Sequence, residues 1–95
     1  MNIYRHGAAF EYRVKHHYED LGYHVTRSAG SHGLFDLVAV NANEVLFIQC
    51  KTSKFLGANG RTNLALAKIL QVPINCRKIL VDRAGPRQGL TFTAL

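Results

Sequence analysis

Two apolar segments separated by a short polar one constrain the fold of this chain more than any other feature. Residues 35–40 (FDLVAV) and 44–52 (EVLFIQCKT) are rich in Val, Leu, Ile and Phe, and Asn41, Ala42 and Asn43 lie between them. Such residues favour strands and asparagine favours tight turns, so the pattern predicts a β-hairpin. The second strand is apolar on both faces before its end, which predicts a central position in a sheet.

The remaining elements follow from helical spacing, alternation and breaker residues. Residues 7–21 predict a helix that ends at Gly22, and residues 63–71 predict a second helix that Pro73 stops. Residues 23–27, 77–83 and 90–95 predict strands, and the small residues at 28–33 predict a loop. This order predicts an α/β fold with a central mixed five-stranded sheet flanked by helices. We expect a single domain, residues 1–95.

The first helix carries an acid close to its apolar face. Phe10, Val14 and Leu21 are predicted to share the buried face, with residue 17 or 18 between them. Glu11 lies one step round the helix from Phe10, on a flank shared with Val14 and Tyr18. We therefore expect this acid to border the buried side of the helix rather than to face water.

The charge balance points to a polyanionic partner. Twelve Lys and Arg residues against six acids give a net charge of +6 and a pI near 9.8. Such a balance favours nucleic acid, although basic character also serves solubility alone. No run of about 18 apolar residues predicts a membrane span, and residues 1–13 contain no apolar signal core. We expect a cytoplasmic protein that works with DNA, in which Cys50 and Cys76 are reduced core residues.

A polar cluster is predicted where the hairpin strands meet. Antiparallel pairing around the 41–43 turn places Asp36 about opposite residue 48, within reach of Gln49. Gln49 and Lys51 share one face of their strand, and Cys50 points to the other. Glu11 is expected to complete the cluster. Carboxylate and amide oxygens are the ligands that Mg²⁺ prefers, and a nearby lysine stabilises charge on a phosphate, so the cluster suits phosphodiester hydrolysis.

The spacing of these residues resembles a nuclease motif. An acid followed thirteen residues later by Gln-x-Lys, here Phe35-Asp36 and Gln49-Cys50-Lys51, resembles the PD-(D/E)xK pattern. More narrowly, the chain resembles the archaeal-type Holliday junction resolvases. In that family a short basic segment and a glycine precede a helix with a catalytic glutamate, a pattern that this sequence matches at Arg5, Gly7 and Glu11. The resemblance continues along most of the chain through "GYHVTR", "SAGSHGLFD" and "VLFIQCKTSK".

The resemblance implies a restriction-endonuclease-like fold and a homodimeric endonuclease. It implies cleavage of four-way (Holliday) DNA junctions with Mg²⁺, or Mn²⁺ in its place, by paired cuts that need one site from each subunit. The implied catalytic residues are Glu11, Asp36, Gln49, Lys51 and the loop residue Ser31, and the implied metal ligands are Glu11, Asp36, Gln49 and the carbonyl of Cys50. The residues assigned to DNA phosphates are Arg5, Arg13, Arg27, Ser31, His32, Lys54 and Arg61.

Two departures from the family pattern keep other interpretations open. Phe35 stands where the family has proline, and Gln49 stands where it has glutamate. An amide ligates through its oxygen but brings no charge, so a decayed DNA-binding module is one alternative. A repair, flap or restriction-like nuclease is another. Taken alone, Asp36 is explained as a turn cap and Lys51 as a strand-end residue. The chain is expected to act in an archaeal, bacterial or phage-infected cell.

Overall fold

The elements follow one another in the predicted order. The computed structural model describes residues 3–28, 34–52, 58–83 and 88–95, with side chains described from Ala8 in the first helix and from Arg61 in the second. The elements are α1 (Ile3–Asp20), β1 (His24–Arg27), β2 (Leu37–Val40), β3 (Val45–Cys50), α2 (Ala58–Ile69), β4 (Cys76–Arg83) and β5 (Leu90–Ala94). Within these ranges one sheet has the order β1-β2-β3-β4-β5, in which β3 and β4 are parallel and the other neighbours antiparallel. The predicted mixed sheet with a central second hairpin strand is confirmed.

The end of α1 is set by Gly22, as predicted. Gly22 has a φ of 95°, a conformation that suits glycine because it has no Cβ. Its N–H donates to the Glu19 carbonyl at 2.9 Å, and the Tyr23 N–H donates to the Tyr18 carbonyl at 3.0 Å. These two bonds form a Schellman motif, which satisfies carbonyls that the last helical turn leaves without partners. The helix can therefore stop abruptly and turn the chain into β1.

The main core lies between α1 and one side of the sheet, which we call the α1 face. Phe10, Val14 and Tyr18 of α1 are buried there. On the sheet they meet Val25, Leu37, Ala39, Leu46, Ile48, Ile79 and Val81. The prediction that Leu21 shares this stripe is wrong, since Leu21 is 61% exposed. The helix ends at Asp20, so Leu21 belongs to the Schellman turn, and Tyr18 continues the stripe instead.

The register of the β2–β3 hairpin differs by one residue from the predicted register. Leu37, not Asp36, pairs with Ile48 in the ladder, so Glu44 belongs to the turn. The cause is Asn41, whose Oδ1 accepts the N–H groups of Asn43 and Glu44, both at 2.9 Å. This side-chain turn extends the connection by one residue. The expected proximity of Asp36 to residue 48 is nevertheless confirmed, because the Asp36 N–H donates to the Ile48 carbonyl at 2.8 Å.

The opposite side of the sheet, which we call the α2 face, is covered less completely. Side chains alternate along each strand, so residues such as Phe47 and Gln49 of β3 and Lys78 of β4 project to this side. The Lys78 Nζ donates to three carbonyls at the end of α2, those of Ala67 (2.7 Å), Lys68 (2.9 Å) and Leu70 (2.6 Å). This charge stabilises the negative end of the helix dipole and ties α2 to β4.

Helix α2 is longer at its start and shorter at its end than predicted. It begins at Ala58 rather than at residue 63, and it ends at Ile69 rather than at residue 71. Ala67 is fully buried, whereas Leu66, Ile69 and Leu70 are 44%, 74% and 42% exposed. In the described ranges, neither helix combines the length and apolar character that a membrane crossing requires.

Candidate active site at one end of the sheet

The strand directions bring the predicted site residues to one end of the sheet. Arg27 at the end of β1 lies opposite Leu37 at the start of β2, and Leu37 lies opposite Ile48 of β3. The parallel strands β3 and β4 also both end there. Because β2 starts where β3 finishes, the hairpin places Asp36 beside the end of β3. The residues that we call the sheet-end site are Glu11, Asp36, Gln49, Cys50 and Lys51.

Among the described residues, three hydrogen bonds hold Asp36 at the sheet end. Its carboxylate Oδ2 accepts the Cys50 N–H at 2.8 Å, and its own N–H donates to Ile48. Its carbonyl accepts the Ser28 N–H at 2.9 Å. The carboxylate therefore bonds the end of the neighbouring strand β3.

Glu11 is held toward the sheet by an arginine from β1. The Arg27 Nε donates to Glu11 Oε1 at 2.9 Å, and the Glu11 side chain is 19% exposed. The expectation that Glu11 borders the buried side of α1 is confirmed. Burial raises the pKa of Glu11, and the negative charge of Asp36 raises it further, while Arg27 opposes both effects. The two carboxylates thus lie close enough to repel each other, an arrangement that a cation stabilises.

The Cys50 thiol stays protonated and neutral. Burial raises its pKa well above the ordinary value, and the charges of Asp36 and Glu11 add to this effect. The side chain packs against the main core on the α1 face. Its backbone, not its sulfur, is therefore the part of Cys50 that is available to the site, in keeping with the carbonyl assigned from the sequence.

Gln49 presents an oxygen that lacks a partner. Its Oε1 is excluded from solvent and accepts no hydrogen bond from the described part of the protein. A buried polar atom without a partner is costly, so this oxygen is a candidate for binding a ligand. The described ranges hold no group of three or more His, Cys, Asp or Glu side chains that could bind a metal. Two acids and one amide are the donor set instead.

Lys51 lies at the sheet end with an acid that the sequence analysis left unassigned. Its Nζ is 4.0 Å from the Asp82 Oδ2, and its N–H donates to the Val81 carbonyl at 2.9 Å. The signal was present in the sequence, since the predicted strand at residues 77–83 carries Asp82 as its next-to-last residue. What the sequence does not give is the parallel register that sets Asp82 beside Lys51. The structure thus adds the acid Asp82 beside Lys51 on the α2 side of the site.

The residues predicted to contact phosphate are spread over several elements. Arg27 lies in the site with Glu11, and its guanidinium carbon is 4.9 Å from the centre of the Tyr12 ring. Arg13 is exposed and donates to the Gln88 carbonyl at 2.9 Å, while Arg61 is exposed on α2. The other four residues predicted to contact phosphate lie outside the described ranges or side chains. They are Arg5, Ser31, His32 and Lys54.

Comparison with known proteins agrees with this fold. A family model described as archaeal Holliday junction resolvase (Hjc) matches residues 2–56, which include Glu11, Asp36, Gln49 and Lys51. The crossover junction endodeoxyribonuclease Hjc of Methanocaldococcus jannaschii is 50% identical over 50 residues, which cover 53% of this chain and 37% of that protein. The chain therefore matches just over a third of that relative's length.

The fold itself has a solved counterpart. The structure of Archaeoglobus fulgidus Hjc, a Holliday junction resolvase, superimposes with a TM-score of 0.63 over 90% of this chain and 73% of that one. The two sequences are 22% identical, so this likeness speaks for the fold, which is restriction-endonuclease-like as predicted. Since the family model covers more than half of the 95 residues, the chain belongs to the archaeal Holliday junction resolvase family.

Proposed function

We propose that this protein is a Mg²⁺-dependent endonuclease that resolves four-way DNA junctions by paired phosphodiester cleavage. The observation that carries the proposal is the sheet-end site. There the Glu11 and Asp36 carboxylates repel each other, and a buried Gln49 oxygen near the end of β3 accepts no hydrogen bond from the described residues. Membership of the resolvase family supports the nuclease activity and the junction substrate.

The oxygen donors present fit a hard divalent cation. Carboxylate, amide and backbone carbonyl oxygens are the ligands that Mg²⁺ prefers, and Mn²⁺ accepts the same set. Glu11, Asp36, Gln49 and the carbonyl of Cys50 would hold the ion. When bound, it supplies Lewis-acid polarisation of a phosphate oxygen and lowers the pKa of water. This chain has two charged ligands rather than three. It is therefore expected to bind Mg²⁺ more weakly than the same chain with a carboxylate at position 49.

The protein's own groups orient the reaction. Arg27 holds the Glu11 carboxylate toward the sheet, and the Cys50 N–H holds the Asp36 carboxylate. Lys51 places a positive charge at the same end of the sheet, where it stabilises the charge that builds up on the phosphate as the bond breaks. These contacts fix the acids before DNA arrives, which lowers the cost of assembling the site.

DNA binding rests on the positive charge of the chain. The net charge is +6, and the exposed side chains of Arg13 and Arg61 are available to bind phosphates. If about six phosphates per dimer are neutralised, log K should fall with log salt with a slope of about −5. Paired cuts need two sites, so the proposal includes a twofold homodimer that acts inside the cell, where its DNA substrate is.

The test compares a labelled four-way junction with a linear duplex of the same arms, in Mg²⁺ and in chelator. We expect cleavage of the junction, in symmetrical pairs, only with Mg²⁺. Asp36→Ala should abolish cleavage while junction binding in chelator stays equal or becomes tighter, because a negative charge is lost. Asp36→Asn should behave likewise although it keeps an oxygen for the Cys50 N–H. Asp20→Ala, at an exposed position of α1, is the control and should cleave like the unmodified protein.

One outcome would favour the second candidate, a DNA-binding module with a decayed site, and two others would contradict the assigned site or substrate. That candidate is supported by the uncharged Gln49 in the donor set. Junction binding without cleavage at any Mg²⁺ or Mn²⁺ concentration would establish it. Cleavage by Asp36→Ala within a few fold of the unmodified protein would show that the chemistry lies elsewhere. Equal cleavage of duplex and junction would point to a different nuclease substrate.

A further inference from the structure

Asp82 is an acid in the site region that neither the motif nor the donor set accounts for. It lies next to last in β4, on the α2 face, where the β3–β4 register continues to bring residue 82 beside residue 51. The Asp82 Oδ2 is 4.0 Å from the Lys51 Nζ, and both side chains are about one quarter exposed, at 28% and 26%. The pair is therefore partly buried at the same end of the sheet as the site.

The neighbours of Lys51 explain why such a partner matters in this chain. Gln49 is the same-face neighbour of Lys51 two residues back on β3, and it carries no charge. Among the described residues, the ion pair recorded for Lys51 is the one with Asp82. A lysine stem has many rotamers, so an ammonium without a nearby counter-charge samples directions away from the site.

We propose that Asp82 is a positioning residue that keeps the Lys51 ammonium pointed toward the scissile phosphate, in the place of the carboxylate that position 49 lacks. The separation of 4.0 Å is at the outer limit of an ion pair, so Asp82 restricts Lys51 without neutralising it in a tight contact. Lys51 can thus move to a phosphate and return. The proposal rests on the proposed nuclease function, because it assigns Lys51 a role at the phosphate.

The first test separates chemistry from binding. Single-turnover junction cleavage is measured at saturating Mg²⁺ for Asp82→Asn, Asp82→Glu and the exposed-site control Asp20→Asn. A misdirected Lys51 should slow Asp82→Asn about tenfold, since misplacement by about 1 Å costs up to about a hundredfold. Asp82→Glu should recover to within about threefold, because it restores the charge. Junction affinity in chelator should be unchanged or tighter, and Asp20→Asn should match the unmodified protein.

The second test needs no cleavage. Unfolding in chelator is measured for Lys51→Gln, Asp82→Asn and the double variant. If the pair forms in solution, the two substitutions should be coupled by about twofold to fivefold in the unfolding constant, the range for partly exposed ion pairs. A coupling factor of one would show that the side chains do not interact, and would overturn the proposal.

The third test asks whether Asp82 stands in for a charge at position 49. In a Gln49→Glu background a carboxylate again lies two residues from Lys51, so Asp82→Asn should slow cleavage by less than about threefold. If Asp82→Asn slows cleavage equally in the unmodified protein and in the Gln49→Glu background, the compensating role of Asp82 is overturned. Equal rates for Asp82→Asn and the unmodified protein would overturn the positioning role alone. Absence of cleavage by the unmodified protein would overturn the proposed function, and the catalytic purpose of the pair with it.

Discussion

The two faces of the sheet differ in how completely a helix covers them. On the α1 face, Val14 of α1 and Leu37, Ile48 and Val81 of the sheet are all 0% exposed. On the α2 face, the described part of α2 buries Ala67, while Ile69 is 74% exposed and Lys78 provides the contact to the sheet through hydrogen bonds. One face is thus held by apolar packing and the other by a charged side chain.

The sheet-end site draws on both faces. Glu11 and Arg27 come from the well-packed α1 side, whereas Gln49, Lys51 and Asp82 project toward the α2 side. The α1 face therefore holds the Glu11 carboxylate in place. The less completely covered α2 face carries Lys51 and Asp82, which the proposed nuclease function brings to a large, charged substrate. This division implies that stability and catalysis depend on different substitutions, which the following variants test.

The largest expected effect comes from a matched pair of isoleucines. Ile48→Ala removes a fully buried side chain from the α1 face and should lower the free energy of unfolding by about 2–5 kcal/mol. Ile69→Ala, at a 74% exposed position of α2, should change it by less than about 0.5 kcal/mol. Denaturant unfolding of both variants at two protein concentrations is the measurement.

A concentration dependence would change the interpretation of that pair. If Ile69→Ala lowers the free energy of unfolding as much as Ile48→Ala does, the α2 face is covered in solution. The contrast between the two faces would then hold only for a single isolated chain. If the cost of Ile69→Ala grows with protein concentration, a second copy supplies the cover, as the proposed homodimer would allow.

Removing the lysine that ties α2 to the sheet should have the next largest effect. Lys78→Met keeps the apolar stem but loses three hydrogen bonds to carbonyls at the end of α2, and should cost about 1–3 kcal/mol. Amide exchange should accelerate in residues 64–70 while residues 10–18 stay protected. Lys68→Met, on the exposed side of the same helix, is the control. Equal acceleration in both helices would mean that the two faces unfold as one unit.

Gln49→Glu sharpens the comparison at the site itself. It adds a negative charge on the α2 side, close to Asp36, so the protein without metal should lose some stability through repulsion. With Mg²⁺ the extra charged ligand should lower the concentration for half-maximal cleavage by at least about threefold, although the maximal rate should change less. Cleavage rate across a Mg²⁺ titration is the measurement. A higher Mg²⁺ requirement would place Gln49 away from the metal.

The smallest effect expected concerns how stability depends on pH. Two glutamates of α1 should contribute to this dependence with opposite signs. The folded-state pKa of Glu11 is raised above 4.5, so its contribution to stability is greatest below that pH and is lost as the pH rises through the raised pKa. Without metal, Glu11→Gln should therefore gain stability relative to the unmodified protein between pH 4 and 7. Added Mg²⁺ should reverse this order, because only the carboxylate binds the cation with charge.

Glu19 provides the control on the same helix. The hydrogen bond from Lys15 lowers the pKa of the exposed Glu19 carboxyl, so its stabilising contribution is present above pH 4.5 and is lost as the pH falls through the lowered pKa. Glu19→Gln should lose stability relative to the unmodified protein as the pH rises. Unfolding midpoints at several pH values measure both effects. The same slope for both variants would show that the Glu11 environment is not what the structure indicates.

The sequence predicted the elements and the site region because both depend on local pattern. Alternation in β3 and the glycine after α1 are properties of short segments, and so is the spacing from Asp36 to Lys51. The hairpin register was missed by one residue, because it depends on the Asn41 side chain accepting two backbone N–H groups. The Glu11–Arg27 and Lys51–Asp82 pairs were missed because they join different elements, whose registers local patterns do not specify.

The parallel pairing of β3 with β4 has a consequence for the order in which the protein assembles. The hairpin of β2 and β3 closes through the short Asn41–Glu44 turn, and α1 and β1 precede it, so one end of the chain can order itself through local contacts. Parallel strands need a long crossover, here residues 51–75, whose closure is slower because it costs more chain entropy. During synthesis, Glu11 and Asp36 emerge first, and Lys51 gains its counter-ion only after β4 docks. The last folding step and the completion of the site are thus the same event, since the Lys51–Asp82 pair exists only once β4 has paired with β3.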